Sequence, residues 1–163
     1  MRTPIVAPCL AAVVLVAACA SSSYGPSGIR AGSTADDVQS RMGLPTGRYA
    51  LPQGRTRLEY ARGPYGKHTF MIDLDSQDRV AKVQQVLTEA NFGTITAGMP
   101  RDELLVRLGR PAHVRSGGRQ GGEVWSYRYN WTFCAWFQVS VIDGRVHDAA
   151  YAADPMCDVS RAA

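Results

Sequence analysis

Cysteines, histidines, serines and clustered aspartates are the side chains of this 163-residue sequence that could do chemistry. A covalent enzyme needs a nucleophile beside a base. A metal site needs His, Cys or carboxylates at ligand spacing. His68, His113 and His147 fall on three different predicted elements, and none is close in sequence to a cysteine. The serines of "SGG" and "WSY" lack the strand–Ser–helix turn that exposes a hydrolase nucleophile. Asp73, Asp75 and Asp78 are spaced loosely like a calcium loop. However, Gln77 holds the third ligand position, Asp78 stands where Gly is needed, and Gln84 stands where the loop closes with a carboxylate. A hairpin turn accounts for these aspartates. The sequence assembles no acid–base pair and so predicts no catalytic residue, no metal and no cofactor.

The cysteines point to export instead. A basic start at Met1-Arg2, an apolar run over Ile5–Ala18 and a small-residue end have the form of a signal peptide. The run is shorter than the ~20 apolar residues a spanning helix needs. Val16-Ala17-Ala18-Cys19 resembles a bacterial lipobox, with Val where Leu is commoner. That reading implies cleavage before Cys19 and diacylglycerol on its thiol, with an amide-linked acyl chain completing a stable anchor. The bland alternative is cleavage after Ala-x-Ala, with Cys19 merely the first mature residue. Residues 1–18 are therefore expected to be the signal peptide and 19–28 a lipidated tether rich in Ser and Gly. Ala20 is not the aspartate that commonly retains lipoproteins in the inner membrane, so the expected location is the periplasmic face of the outer membrane. Of the four cysteines, Cys9 leaves with the signal and Cys19 with the lipid. Cys134 and Cys157 remain. In an oxidising compartment an even pair is most simply a disulfide, two buried thiols being the alternative. A net charge of +4 with scattered basic residues leaves no footprint for nucleic acid.

The elements that carry these residues come as a repeat. "IRAGSTADDVQSRMGLPT" from Ile29 aligns without a gap to "ITAGMPRDELLVRLGRPA" from Ile95, an offset of 66. Gly32 matches Gly98, Met42-Gly43 matches Leu108-Gly109, and Pro45 matches Pro111. Each copy predicts a glycine turn and a short helix, Thr34–Met42 or Pro100–Leu108. Val38 and Met42, like Leu104 and Leu108, fall four apart on one helical face. Gly43 and Gly109 stop the helices and the prolines reinforce the stop.

The second halves repeat with the offset drifting by one. Leu58-Glu59-Tyr60 matches Trp125-Ser126-Tyr127, the series Phe70, Ile72, Leu74 matches Phe137, Val139, Val141, and Arg79-Val80 matches Arg145-Val146. Period-two alternation makes these strands. "YALPQGR" and "VRSGGRQGG" read as loops. The fold class expected is α+β, with two tandem two-layer units over 29–90 and 91–163. Each is a short helical segment packed on a three-stranded antiparallel meander.

Gly98-Met99, Leu104, Leu108-Gly109 and Pro111, then Trp125-Ser126-Tyr127, Phe137, Val139 and Asp143-Gly144-Arg145-Val146, resemble the SmpA/OmlA domain of the BamE-like outer-membrane assembly lipoproteins. The first copy carries a weaker version. The resemblance implies a non-catalytic lipoprotein that binds an envelope protein, the outer-membrane β-barrel assembly machinery in particular, and meets the membrane through its N-terminal lipid. The family has a single domain, and this chain has two. Tandem copies are also similar to secreted β-lactamase-inhibitor-like proteins, which implies the alternative of a periplasmic inhibitor or sensor gripping an envelope enzyme or cell-wall component.

Aromatic residues are the one unusual local signal. Trp125, Tyr127 and Phe137 are expected in the sheet core. Trp131, Phe133 and Trp136 are expected to be partly exposed, and they form the candidate protein-binding site, since such residues are enriched at interface hot spots.

Overall fold

A computed structural model describes residues 24–156; Cys19 and Cys157, with the expected signal peptide, lie outside the described residues. The first unit runs α1 (Ala35–Met42), β1 (Gly47–Leu51), β2 (Arg55–Ala61), β3 (Thr69–Leu74) and β4 (Val80–Gln85). A single-turn helix, α2 (Glu89–Phe92), leads into the second. That unit runs α3 (Arg101–Leu108), β5 (His113–Ser116), β6 (Glu123–Arg128), β7 (Ala135–Ile142) and β8 (Arg145–Ala153). The fold is α+β with two tandem units, each a helix on an antiparallel sheet.

Each sheet has four strands in meander order, β1-β2-β3-β4 and β5-β6-β7-β8, not the expected three. The additional strands, β1 and β5, run into the two segments expected to be loops and begin just before them. Their exposure removes the sequence signal: every residue of β5 is exposed, and β1 has none that is fully buried. Edge strands such as these are held by their backbone ladder to one neighbour, so their sequence carries no apolar alternation.

The repeat is reproduced down to single bonds. Leu58 pairs Ile72 and Tyr60 pairs Phe70 in the first sheet; Trp125 pairs Val139 and Tyr127 pairs Phe137 at the same places in the second. Both sheets shift register at one point, between Asp73 and Leu74 and between Ser140 and Val141. Gly32 and Gly98 turn with φ of 84° and 83°, a region that favours glycine. Their amides donate to the carbonyls of Val80 and Val146 at 2.8 and 2.7 Å, and their own carbonyls accept from Arg79 and Arg145 at 3.1 and 2.9 Å. The repeated Gly and Arg-Val motifs are thus one clip that ties the helix entry to the last strand. The helices begin differently. Thr34 and Asp37 form a reciprocal capping box on α1, whereas Pro100 caps α3 without a side-chain bond.

The units are docked, not strung apart. One face of the first sheet buries Leu58, Tyr60, Ile72 and Leu74 against Val38 and Met42 of α1. Its other face presents Met71, which joins a second core with Leu104 and Leu108 of α3 and with Trp125, Tyr127, Phe137 and Val139 of the second sheet. Arg57 strengthens the same junction: its Nη1 donates to the Val106 carbonyl in α3 at 2.8 Å, and its other nitrogens grip Asp73 at 2.6 and 2.8 Å. The layers therefore run α1, first sheet, α3, second sheet. On the outer face of the second sheet, Pro155 and Met156 lie beside Ser126, Trp136 and Gln138.

Candidate functional site

The loop between β2 and β3 and the loop between β6 and β7 come together at one end of the stack. Arg128 bridges them by donating from Nη1 to the Pro64 carbonyl at 2.5 Å. From this end, stacked aromatic rings lead inward. Phe133 packs on Trp131, Trp131 stacks on Tyr129, and Tyr129 meets Phe92, which lies flat on Phe137 at 4.2 Å. Trp131 and Phe133 form the exposed tip of that ladder, at 36% and 78% exposure. Burial pushes the Tyr129 hydroxyl up to about 12, with the nearby Tyr151 and Glu89 adding to it.

Trp136 does not belong to the tip. It is 7% exposed, contrary to the expectation that it would stand with Trp131 and Phe133. It pairs with Arg128 across the sheet and lies on the opposite face from Phe137. There it forms the back of a cleft of about 400 Å³, lined also by Pro64, Tyr65, His113, Arg115 and Met156. The loop after β6 interrupts the strand, so odd numbering keeps Trp125, Tyr127 and Phe137 on the core face while even-numbered Trp136 turns outward.

A buried charge network locks this cleft. Arg128 grips Asp154 through Nε and Nη2 at 2.6 and 3.1 Å, both side chains being more than nine-tenths buried. Its guanidinium also lies 4.8 Å from the Trp136 ring centre and 6.0 Å from that of Tyr65. Burial pushes the Asp154 carboxyl up, but the hydrogen bonds from Arg128 and the Met156 amide hold it below the ordinary carboxylate value. Trp136 Nε1 also lowers it from nearby, although that N–H is buried without hydrogen-bond geometry to any described partner. His113 meets Trp136 edge-on at 6.1 Å. His113 and Ser126 are direct cross-strand partners, a juxtaposition no sequence spacing announced. Ser126 Oγ accepts instead from Gln138 Nε2 at 2.8 Å and is fully buried, so the pair is not arranged as base and nucleophile.

The remaining expected residues have structural places. Tyr127 donates its hydroxyl to the Gly109 carbonyl at 3.2 Å, and burial raises that hydroxyl well above its ordinary value. Trp125 donates to Glu123 Oε2 at 2.8 Å beneath the Arg101 guanidinium. Gly43 and Gly109 close the two helices with matching backbone angles. Pro45 and Pro111 follow in the connections to β1 and β5. Asp75 accepts the Gln77 and Arg79 amides in the turn between β3 and β4, where Asp78 also lies, whereas Asp73 belongs to β3 and pairs with Arg57. No group of three or more His, Cys, Asp or Glu fit to hold a metal occurs among the described residues. No helix of the described residues is long and apolar enough to cross a membrane. Cys134 is disulfide-bonded; its expected partner Cys157 lies outside the described residues.

No protein-family model matches the chain, and no curated protein matches it. Among solved structures it is similar to a cysteine-rich secretory protein from Staphylococcus aureus subsp. aureus Mu50. That likeness has 11% identity, covers 77% of this chain and 44% of the other, and has a TM-score of 0.31. The chain thus spans less than half the length of that protein, and the likeness is too weak to define a common fold. The absence of any matching family corrects the expected SmpA/OmlA and BamE-like identity. The glycines, prolines and paired apolar residues behind that resemblance are accounted for by the repeat's own clip, helix stop and core. The lipoprotein and outer-membrane terms that accompanied it rest on residues 1–20 alone.

Proposed function

We propose that this chain is an exported, non-catalytic binding protein, tethered through Cys19 to the periplasmic face of the outer membrane, that holds a segment of an envelope protein in the cleft between Tyr65 and Trp136. The cleft is the observation that carries the reading. Its volume of about 400 Å³ suits one or two side chains of a partner. Pro64, Tyr65, Trp136 and Met156 offer apolar and aromatic contact, and the Arg115 guanidinium lies exposed at the rim. Aromatic and arginine side chains are the usual anchors of protein interfaces. The Arg128–Asp154 pair holds the wall rigid before a partner arrives, which reduces the ordering cost of binding. Two polar groups of the cleft wall are already committed, Ser126 to Gln138 and Arg128 to Asp154, which favours binding over catalysis.

In-cell photocrosslinking tests the cleft. A crosslinking residue at Tyr65 or Arg115 should yield a discrete adduct with one envelope protein, and one at Asp36 on α1 should not. Equal adducts from all three positions, or none from the cleft, would reject the placement. Mass spectrometry of the mature N-terminus separately tests the tether, which an unmodified Cys19 would exclude.

A further inference from the structure

Tyr24, the first described residue, is held at the same end of the molecule as the exposed tip of the aromatic ladder. Its hydroxyl and His68 Nδ1 share a hydrogen bond of 3.0 Å, and its carbonyl accepts from Arg62 Nε at 2.7 Å. His68 in turn lines a surface hollow with Trp131 and Asn130. Cys19 precedes Tyr24 by five residues, which span at most about 18 Å when fully extended. A lipid on Cys19 therefore cannot place the bilayer far from the Trp131 loop. The same end carries Tyr65, 72% exposed, and an exposed Lys67 on the neighbouring loop. The acidic groups facing it are Glu89, which lines the Trp131 hollow, and Asp154, which is paired to Arg128.

These features share one explanation. Trp131 forms one side of the hollow it shares with His68, and with Phe133 it sits at the tip of a hairpin loop that exposes both rings. Trp and Tyr favour the boundary between headgroups and acyl chains, where a ring meets hydrocarbon and its polar edge stays wet. Lysine beside them suits phosphate headgroups. The rings behind the tip, from Tyr129 to Phe137, anchor it rigidly, so inserting it costs little conformational freedom.

We infer that the Trp131–Phe133 loop, flanked by Tyr65 and Lys67, docks into the interface of a phospholipid bilayer. This second contact would turn a flexible lipid tether into a fixed orientation, with the Tyr65–Trp136 cleft opening alongside the membrane. The orientation rests on the reading of Cys19 as the anchor; the affinity of the loop for a bilayer does not, and the two can be tested apart.

The test uses the mature chain, residues 19–163, bearing Cys19→Ser, so that no lipid contributes. It is mixed with vesicles of phosphatidylethanolamine and phosphatidylglycerol, with and without acyl-chain bromination. Trp125 and Trp136 are buried at 2% and 7% exposure, so bromine quenching of tryptophan fluorescence reports Trp131. The expected result is co-flotation with the vesicles and quenching that Trp131→Phe removes. The double variant Trp131→Ala, Phe133→Ala should lose partitioning by about tenfold or more. Thr132→Asp sets a charge in the same exposed tip without removing a ring; it should weaken partitioning too, and it serves if the double variant fails to fold. No partitioning of the unlipidated chain, or partitioning that these substitutions leave unchanged, overturns the inference. Either result leaves the lipidation of Cys19 to be decided by its own mass.

Discussion

Replacing Gly109 by alanine should damage this protein more than the same change at Gly98. Both glycines hold left-handed backbone angles, with φ of 78° and 83°. An L-residue there costs roughly 1–2 kcal/mol, and the smaller entropy of the unfolded alanine chain returns roughly 0.4–1 kcal/mol in both cases. The surroundings differ. A methyl group at Gly98 would meet nothing within 4 Å. At Gly109 it would stand 2.9 Å from Thr69 Cγ2, 3.0 Å from the Glu59 carboxyl carbon and 3.1 Å from Met71 Cε. All three belong to the first unit, and Glu59 cannot yield freely, because it is fully buried and accepts hydrogen bonds from Thr46 and Tyr49. Overpacking of that kind costs roughly 1–3 kcal/mol more. Gly98→Ala should therefore cost about 1 kcal/mol and Gly109→Ala about 2–4 kcal/mol, a melting difference of about 4–12 °C for a chain of this size. Urea unfolding of both variants, followed by tryptophan fluorescence, measures it. If the two lose the same stability, the units are not packed as closely as the layered core requires.

Asp154→Ala should cost about 3–5 kcal/mol, since it leaves the Arg128 guanidinium buried without its partner; calorimetric unfolding reads the loss directly. Because the folded Asp154 carboxyl is held below its unfolded value near 3.9, its stabilising effect is full above that value and fades as pH falls through the lower folded one. Urea midpoints measured between pH 5 and about pH 2 should fall more steeply in the native protein than in Asp154→Asn. Removing the hydroxyl with Tyr127→Phe should cost about 1 kcal/mol, the worth of its bond to the Gly109 carbonyl, with the spectroscopic fold unchanged. Arg57→Ala should lower stability by about 3–5 kcal/mol by stranding Asp73, and native-state hydrogen exchange should then show the amides around α3 and β3 opening first.

The repeat, the two helices and the four apolar strands β2, β3, β6 and β7 were legible because their cause is local, and the repeated Arg-Val pair marked β4 and β8. Spacings of four on Val38–Met42 and Leu104–Leu108 and of two on Phe70–Leu74 and Phe137–Val141 record which side chains must be buried, and a chain cannot bury them without displaying the period. The placing of Trp125, Tyr127 and Phe137 on one core face followed from the same rule. Strands β1 and β5 escaped it because they pair through backbone groups that every residue carries, and α2 escaped because a single turn is too short to show a period. Trp136 was misplaced for a related reason: alternation says that it faces away from Phe137, but not that a loop from the other unit would cover it. The cleft joins Pro64 and Tyr65 to Arg128, Trp136 and Asp154, and no local pattern encodes contacts between residues so far apart in the chain. Which side chains go inside was written in the sequence. How α3 lies between two sheets, and so which two loops meet at one end, was decided only by packing in three dimensions, where burying Met71 and satisfying Arg57 both require the second unit.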